Sequence, residues 1–188
     1  MCPGSENPKI ILLISGKRKC GKDFIAEKLQ SQLLDKCTII RISEPIKKFY
    51  AEKCAISLTE LMGNGPLKEK YRIDMINWSD KIRFEDPGRF CRSACENAKE
   101  CPFWIVCDIR RKTDIDFFKK TYDDRIKTVR INARESIRKA RGWIFTKGVD
   151  DVASECDLDS YQNWDLEISN EESDQGVFGI LQLLDKFK

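Results

Sequence analysis

Residues 15–24 read "SGKRKCGKDF". Gly16, Lys17, Arg18, Lys19, Cys20, Gly21 and Lys22 match the pattern G-x-x-x-x-G-K, whose glycines let the backbone wrap until successive N–H groups converge on phosphate oxygens. The start of the following helix adds partial positive charge, and Lys22 is placed to reach the β and γ oxygens of a nucleotide. Lys17, Arg18 and Lys19 then supply further cations over a polyphosphate. Such loops usually end in a Ser or Thr whose hydroxyl holds magnesium; here Asp23 stands in that place. Its carboxylate suits magnesium as a hard oxygen donor, and equally suits a helix first turn as a dipole complement. Asp108, which closes "FWIVCD", is the second magnesium candidate by chain order, with turn initiation as its plain alternative.

Arginines supply the other half of the inventory. Arg110 and Arg111 follow the "FWIVCD" strand directly, where paired guanidinium groups could capture a phosphate or carboxylate. Arg134, Arg138 and Arg141, at i, i+4 and i+7, share one face of a helix, with Arg130 at the end of the strand before it. That face is either solvated or delivers an arginine to a transferring phosphoryl group. The chain has no histidine, which removes imidazole bases and histidine-ligated metals. A hydroxyl acceptor would want such a base, whereas a phosphate monoester, with a second pKa of ~6, is already nucleophilic at neutral pH. Phosphate-to-phosphate transfer by positioning and charge neutralisation fits a cation-rich, base-poor set of residues.

The elements that would hold these residues read in order along the chain. Ile10 to Ile14 is wholly apolar, the mark of a strand buried on both faces, and the loop leads into a helix carrying Phe24, Ile25, Leu29 and Leu33. "CTIIRIS", "FWIVCD", "RIKTVRINA" and "WDLEI" supply four further strands. "EPIKKFYAEKCAI", a mainly helical region from 57 to 102 interrupted at "GNGP" and "EDPGRF", "DIDFFKKTY", the basic "RESIRKARGW" and "GVFGILQLLDKF" supply helices. "TKGVDDVASECDLDSY" is polar, acidic and without period, a loop or lid. Alternating strands and helices predict a three-layer α/β domain on a five-stranded, mostly parallel sheet, with ligands at the carboxyl ends of the strands.

The 188 residues suit one domain, 1–188, with 41% hydrophobic and 35% charged residues, within the range of ordinary globular chains. A net charge of +3 gives little bulk attraction to nucleic acid. Apolar runs of about five residues are too short for a bilayer. The N-terminus has no signal-peptide core, and "KFK" is not a peroxisomal address. Nine cysteines, without a Cys-x-x-Cys pair, read as reduced structural thiols. The expectation is a cytoplasmic monomer that binds neither nucleic acid nor membrane.

Taken in order, "SGKRKCGKDF", "DMINW", "DPGRFCR", "DIRR", "RGWIFTKGVDD" and "SECDLD" resemble the animal-type phosphomevalonate kinase family along nearly the whole chain. The "GKD" loop ending is itself a feature of that family. The resemblance implies a P-loop kinase fold similar to the nucleoside monophosphate kinases, an acceptor-binding helical region at about 45–100 and a lid at about 134–160. It also implies transfer of the ATP γ-phosphoryl group, with Mg2+, to phosphomevalonate, giving diphosphomevalonate for isoprenoid and sterol synthesis. By position, Lys17 to Asp23 match the ATP loop, with Lys22 and Arg18 the leading catalytic candidates. Arg110, Arg111 and Arg83 match acceptor-binding positions, with Arg110 also catalytic. Arg130, Arg138 and Arg141 match the strand end and lid, Arg141 on the ATP side, and Asn170 matches a ligand-binding asparagine. "EESDQG", after Asn170, departs from the family pattern, and Cys20 stands where a serine is expected. The competing readings are a nucleoside monophosphate kinase and a non-catalytic nucleotide-binding module, although no Asn-Lys-x-Asp guanine motif is present.

Overall fold

The computed structural model describes residues 8–63, 65–96, 98–171 and 175–187; "GNGP", "EESDQG" and "KFK" therefore lie partly outside the described residues. Five strands form one sheet: β1 (Ile10–Gly16), β2 (Cys37–Ile40), β3 (Phe103–Ile109), β4 (Ile126–Asn132) and β5 (Leu166–Ser169). Their order is β2-β3-β1-β4-β5, and all four pairings are parallel. β1 is central because it is the most apolar strand, and only the middle of a covered parallel sheet hides both of its faces.

Alternate residues of β1 feed two cores. Ile10, Leu12 and Ile14 pack on one face with Ile25 and Leu29 of α1 (Lys22–Leu33) and Val177, Ile180 and Leu184 of α9 (Gln175–Asp185). Ile11 and Leu13 pack on the other face with Phe90 and Cys91 of α5 (Arg89–Cys95) and Ile115 and Phe118 of α6 (Lys112–Tyr122). A smaller third cluster joins Tyr50 and Ala51 of α2 (Ser43–Cys54), Leu61 of α3 (Leu58–Met62) and Met75 of α4 (Pro66–Glu85). Pro66 opens α4 at its first turn, where a missing N–H costs nothing.

The basic helix expected from "RESIRKARGW" is α7 (Glu135–Ala140), one and a half turns long, stopped at Arg141 and Gly142, whose φ is 79°. Within the acidic segment a four-residue helix, α8 (Ala153–Cys156), forms where no period was visible. Leu158 packs into the core on the α5 and α6 side and ties this segment to the body, Trp143 and Val149 are buried as well, and Ile144 and Phe145 are exposed. The eight described cysteines are free thiols.

Candidate active site

The loop 16–21 leaves the carboxyl end of β1 and ends at α1. Lys19 and Gly21 both take left-handed φ values, 62° and 95°, which turn the chain back on itself. Glycine is required at 16 because a side chain there would run into the Cys20 thiol and lie 2.6 Å from the Ile131 carbonyl; at 21 it would strike the Asn170 amide. The loop's carbonyls are drawn away by donors. Arg138 Nε donates to Arg18 O at 2.7 Å, and Arg141 Nη1 and Asn170 Nδ2 donate to Cys20 O at 3.0 and 2.8 Å. Tying down these carbonyls suits an anion-binding loop, since they would otherwise repel a phosphate.

A cavity of about 270 Å³ opens beside the loop. Arg18, Lys22, Asp23, Arg83, Asp108, Arg110 and Arg111 line it, so both cation groups singled out in the sequence meet across one space. Gly16, Lys17, Lys19, Cys20, Gly21, Arg130, Arg138, Arg141 and Asn170 are not on its wall; they shape or flank the loop. Lys22 is buried and has no carboxylate partner among the described residues. Asp23 is exposed, and its carboxylate accepts no hydrogen bond among the described residues. Asp108 is committed otherwise: its two oxygens accept the N–H groups of Ile42 and Ser43 at 2.7 and 3.0 Å, where α2 begins.

One residue the sequence reading passed over organises the arginine wall. Asp114, fully buried in the first turn of α6, pairs with Arg83 at 2.5 Å and accepts the N–H groups of Arg110 and Arg111 at 3.0 Å each. Burial alone would weaken the charge of Arg83, but Asp114 outweighs it and holds the guanidinium firmly protonated. Arg111 also pairs with Asp80. Two lysines were likewise missed. Lys47 is buried in the cavity wall, and burial lowers its pKa despite Asp108 and Asp23 nearby. Burial, then Lys47 and Arg72, push Lys68 down to about 8. Lysines spaced along amphipathic helices carry no sign of being turned inward, so only packing reveals them.

The acidic segment meets the loop through carboxylates. Asp150 pairs with Arg18 at 2.7 Å, Asp159 with Lys17 at 2.5 Å and Arg130 at 3.0 Å, and Glu155 with Arg110 and with the N–H of Arg18. Arg130 is buried in β4 and also donates to Ser15 Oγ at 3.0 Å. Arg134 departs from the shared face expected of it: it precedes α7 and turns to Glu171 at 2.8 Å.

An all-parallel sheet with a glycine-wrapped anion loop after its central strand defines the P-loop kinases. Solved structures agree at the level of fold. A shikimate kinase from Aquifex aeolicus aligns with a TM-score of 0.56 at 14% identity, covering 94% of this chain and 96% of its own. An APS kinase from Mycobacterium tuberculosis aligns at 0.51 and 16%, covering 94% and 97%. A family model described as phosphomevalonate kinase matches residues 14–124. A Drosophila melanogaster phosphomevalonate kinase is 52% identical over 177 residues, 91% of this chain and 94% of that protein. The chain belongs to the phosphomevalonate kinase family, and is a phosphotransferase with a nucleotide substrate.

Proposed function

We propose that the chain transfers the γ-phosphoryl group of ATP to phosphomevalonate, giving diphosphomevalonate and ADP, with the residues above in the following roles. Loop residues 16–22 take the ATP phosphates. Arg110, Arg111 and Arg83 take the acceptor's phosphate, and Lys47 and Lys68 offer charge to its carboxylate. Residues 134–160 act as a lid that brings Arg138 and Arg141 to the loop, with Arg130 beneath. Asn170, whose buried Oδ1 has no partner among the described residues, is available to a nucleotide donor. The observation that carries this reading is the single cavity in which Lys22 and Arg18 face Arg83, Arg110 and Arg111. An acceptor phosphate oxygen held there forms its bond to the γ phosphorus while the bond from γ phosphorus to the β–γ bridging oxygen breaks, and that oxygen leaves on ADP. Lys22 and Arg18 neutralise charge gathering on the transferred group, and no proton need be removed from a dianionic acceptor.

The residues present also fit magnesium. Asp23 offers a hard carboxylate in the cavity with nothing else bound to it. No cluster of three or more Asp, Glu, His or Cys side chains able to hold a metal exists among the described residues, so phosphate oxygens and water would complete the shell. Asp23 would hold the ion and Asp108 would add negative potential from behind. When bound, the ion would offset the negative charge of the phosphates. We further propose a cytoplasmic monomer without nucleic-acid or membrane partners; among the described residues no helix is long and apolar enough to cross a membrane.

An ADP-release assay over a panel of acceptors tests the function. Turnover is expected with phosphomevalonate, and a loss of ~10²–10³ in turnover for Lys22→Met, the scale for one preorganised oxyanion donor. Turnover with a nucleoside monophosphate but none with phosphomevalonate would reject the acceptor. For Asp23→Ala the magnesium titration should move to higher concentration; an unchanged titration would assign Asp23 to the helix dipole instead.

A further inference from the structure

Among the three carboxylates of the acidic segment that reach the loop, Glu155 has a distinct position. Asp150 also accepts Trp143 Nε1 at 3.0 Å and Thr146 N at 2.8 Å, so it is bound into its own segment. Asp159 is exposed and lies off the cavity. Glu155 is 7% exposed, lines the cavity, and divides its oxygens between the two halves of the site: Oε1 accepts the loop N–H of Arg18, and Oε2 meets the guanidinium of Arg110. A backbone N–H of an anion loop together with an arginine is the donor set that suits a phosphoryl oxygen. A buried carboxylate is tolerable there only while both donors are engaged. The two kinds of anion therefore compete for one pair of donors.

We propose that Glu155 is a displaceable internal anion that holds the place of a phosphoryl oxygen and, by bridging loop and arginine wall, couples the binding of the two substrates. The proposal rests on the kinase reading above. ATP arriving at the loop takes the Arg18 N–H and leaves Glu155 with half its partners in a buried place. The carboxylate then withdraws with α8, and Arg110 is released for the acceptor. The same sequence runs in reverse when the acceptor arrives first, since a coupling between two ligands is reciprocal. Until one substrate binds, each pays for the displacement alone, which lowers its separate affinity. Glu155 is thus a positioning residue: it acts on substrates through Arg18 and Arg110.

Calorimetry with a non-hydrolysable ATP analogue and magnesium, with and without saturating phosphomevalonate, reads the coupling directly. In the wild type the analogue should bind about ten-fold more tightly when the acceptor is present, a coupling of ~1.4 kcal/mol. In Glu155→Gln each substrate alone should bind ~3–10-fold more tightly and the coupling factor should fall to about one. Glu155→Asp keeps the charge but is one methylene too short to span both donors, so its coupling should fall as well. Circular dichroism and thermal melts establish that the variants fold. Wild-type coupling in either folded variant, or no coupling in the wild type, overturns the proposal. So does failure of both variants to fold, since Glu155 would then be a strut. A wild-type chain that ignores phosphomevalonate strikes the assigned acceptor instead, so the two failures are told apart.

Discussion

In the proposed acceptor site, Lys68 carries a pH response. Burial, Lys47 and Arg72 hold its pKa down at about 8, against partial support from Asp23 and Glu69. Its cation is therefore complete below pH 7 and lost as pH rises through about 8, while the acceptor phosphate, with a second pKa of ~6, keeps its charge across that range. The KM for phosphomevalonate should rise between pH 7 and 9 in the wild type and stay flat in Lys68→Arg; a rise of equal size in both would remove Lys68 from the acceptor site. The contrast with Lys22 shows what was legible. Lys22 sits in a spacing that points to a phosphate-binding loop, so its place on the cavity wall beside that loop could be expected from the letters alone. Lys47, Lys68 and Asp114 belong to ordinary helical patterns, and their inward turn follows from the packing of α2, α4 and α6. Glu155 was read only as part of an acidic stretch, because a carboxylate matched to two donors leaves no local signature.

Among the elements, those with an apolar period were found and those held by ion pairs were not. β1, β3 and β4 are runs that only a doubly covered sheet can bury, and α1 follows from its apolar spacing. α8 escaped because four residues in a polar segment have no period, and it is held to the body through the contacts of Glu155 with Arg18 and Arg110. α7 came out shorter than its basic pattern at both ends: Gly142 at positive φ follows its last turn, and Arg134 stands as its N-cap with extended ψ, paired with Glu171 and off the helix face. Asp108 illustrates a residue whose position was readable and whose contacts were not. It does lie at the end of β3, yet both oxygens hold the start of α2, an arrangement that spans 66 residues of sequence. A carboxylate capping a helix N-terminus stabilises by ~1 kcal/mol, and here it fixes the helix that carries Lys47.

For the molecule as a whole, alternation of strands and helices announced a parallel sheet, but the order β2-β3-β1-β4-β5 depends on which crossovers pack, which no single stretch encodes. The segment 143–160 is bound to the body in two ways, by Leu158 in the sheet core and by ion pairs to Lys17, Arg18, Arg110 and Arg130. Salt at ~1 M shortens the Debye length to ~3 Å and weakens the exposed pairs most. Amide hydrogen exchange in this segment should therefore accelerate several-fold at high salt in the absence of substrates, with β1 unchanged. Exchange indifferent to salt would mean that apolar packing alone holds it. The small cluster of Tyr50, Ala51, Leu61 and Met75 has an evolutionary corollary. Helices α2, α3 and α4 gather around this cluster, which joins the core on the α5 and α6 side of the sheet through Ile46 and Trp78, each packed against both. Substitutions in the helical wall of the cavity can therefore drift only while Ile46 and Trp78 keep their seat on the sheet core, which makes these two side chains the seam across which any remodelling of that wall is felt.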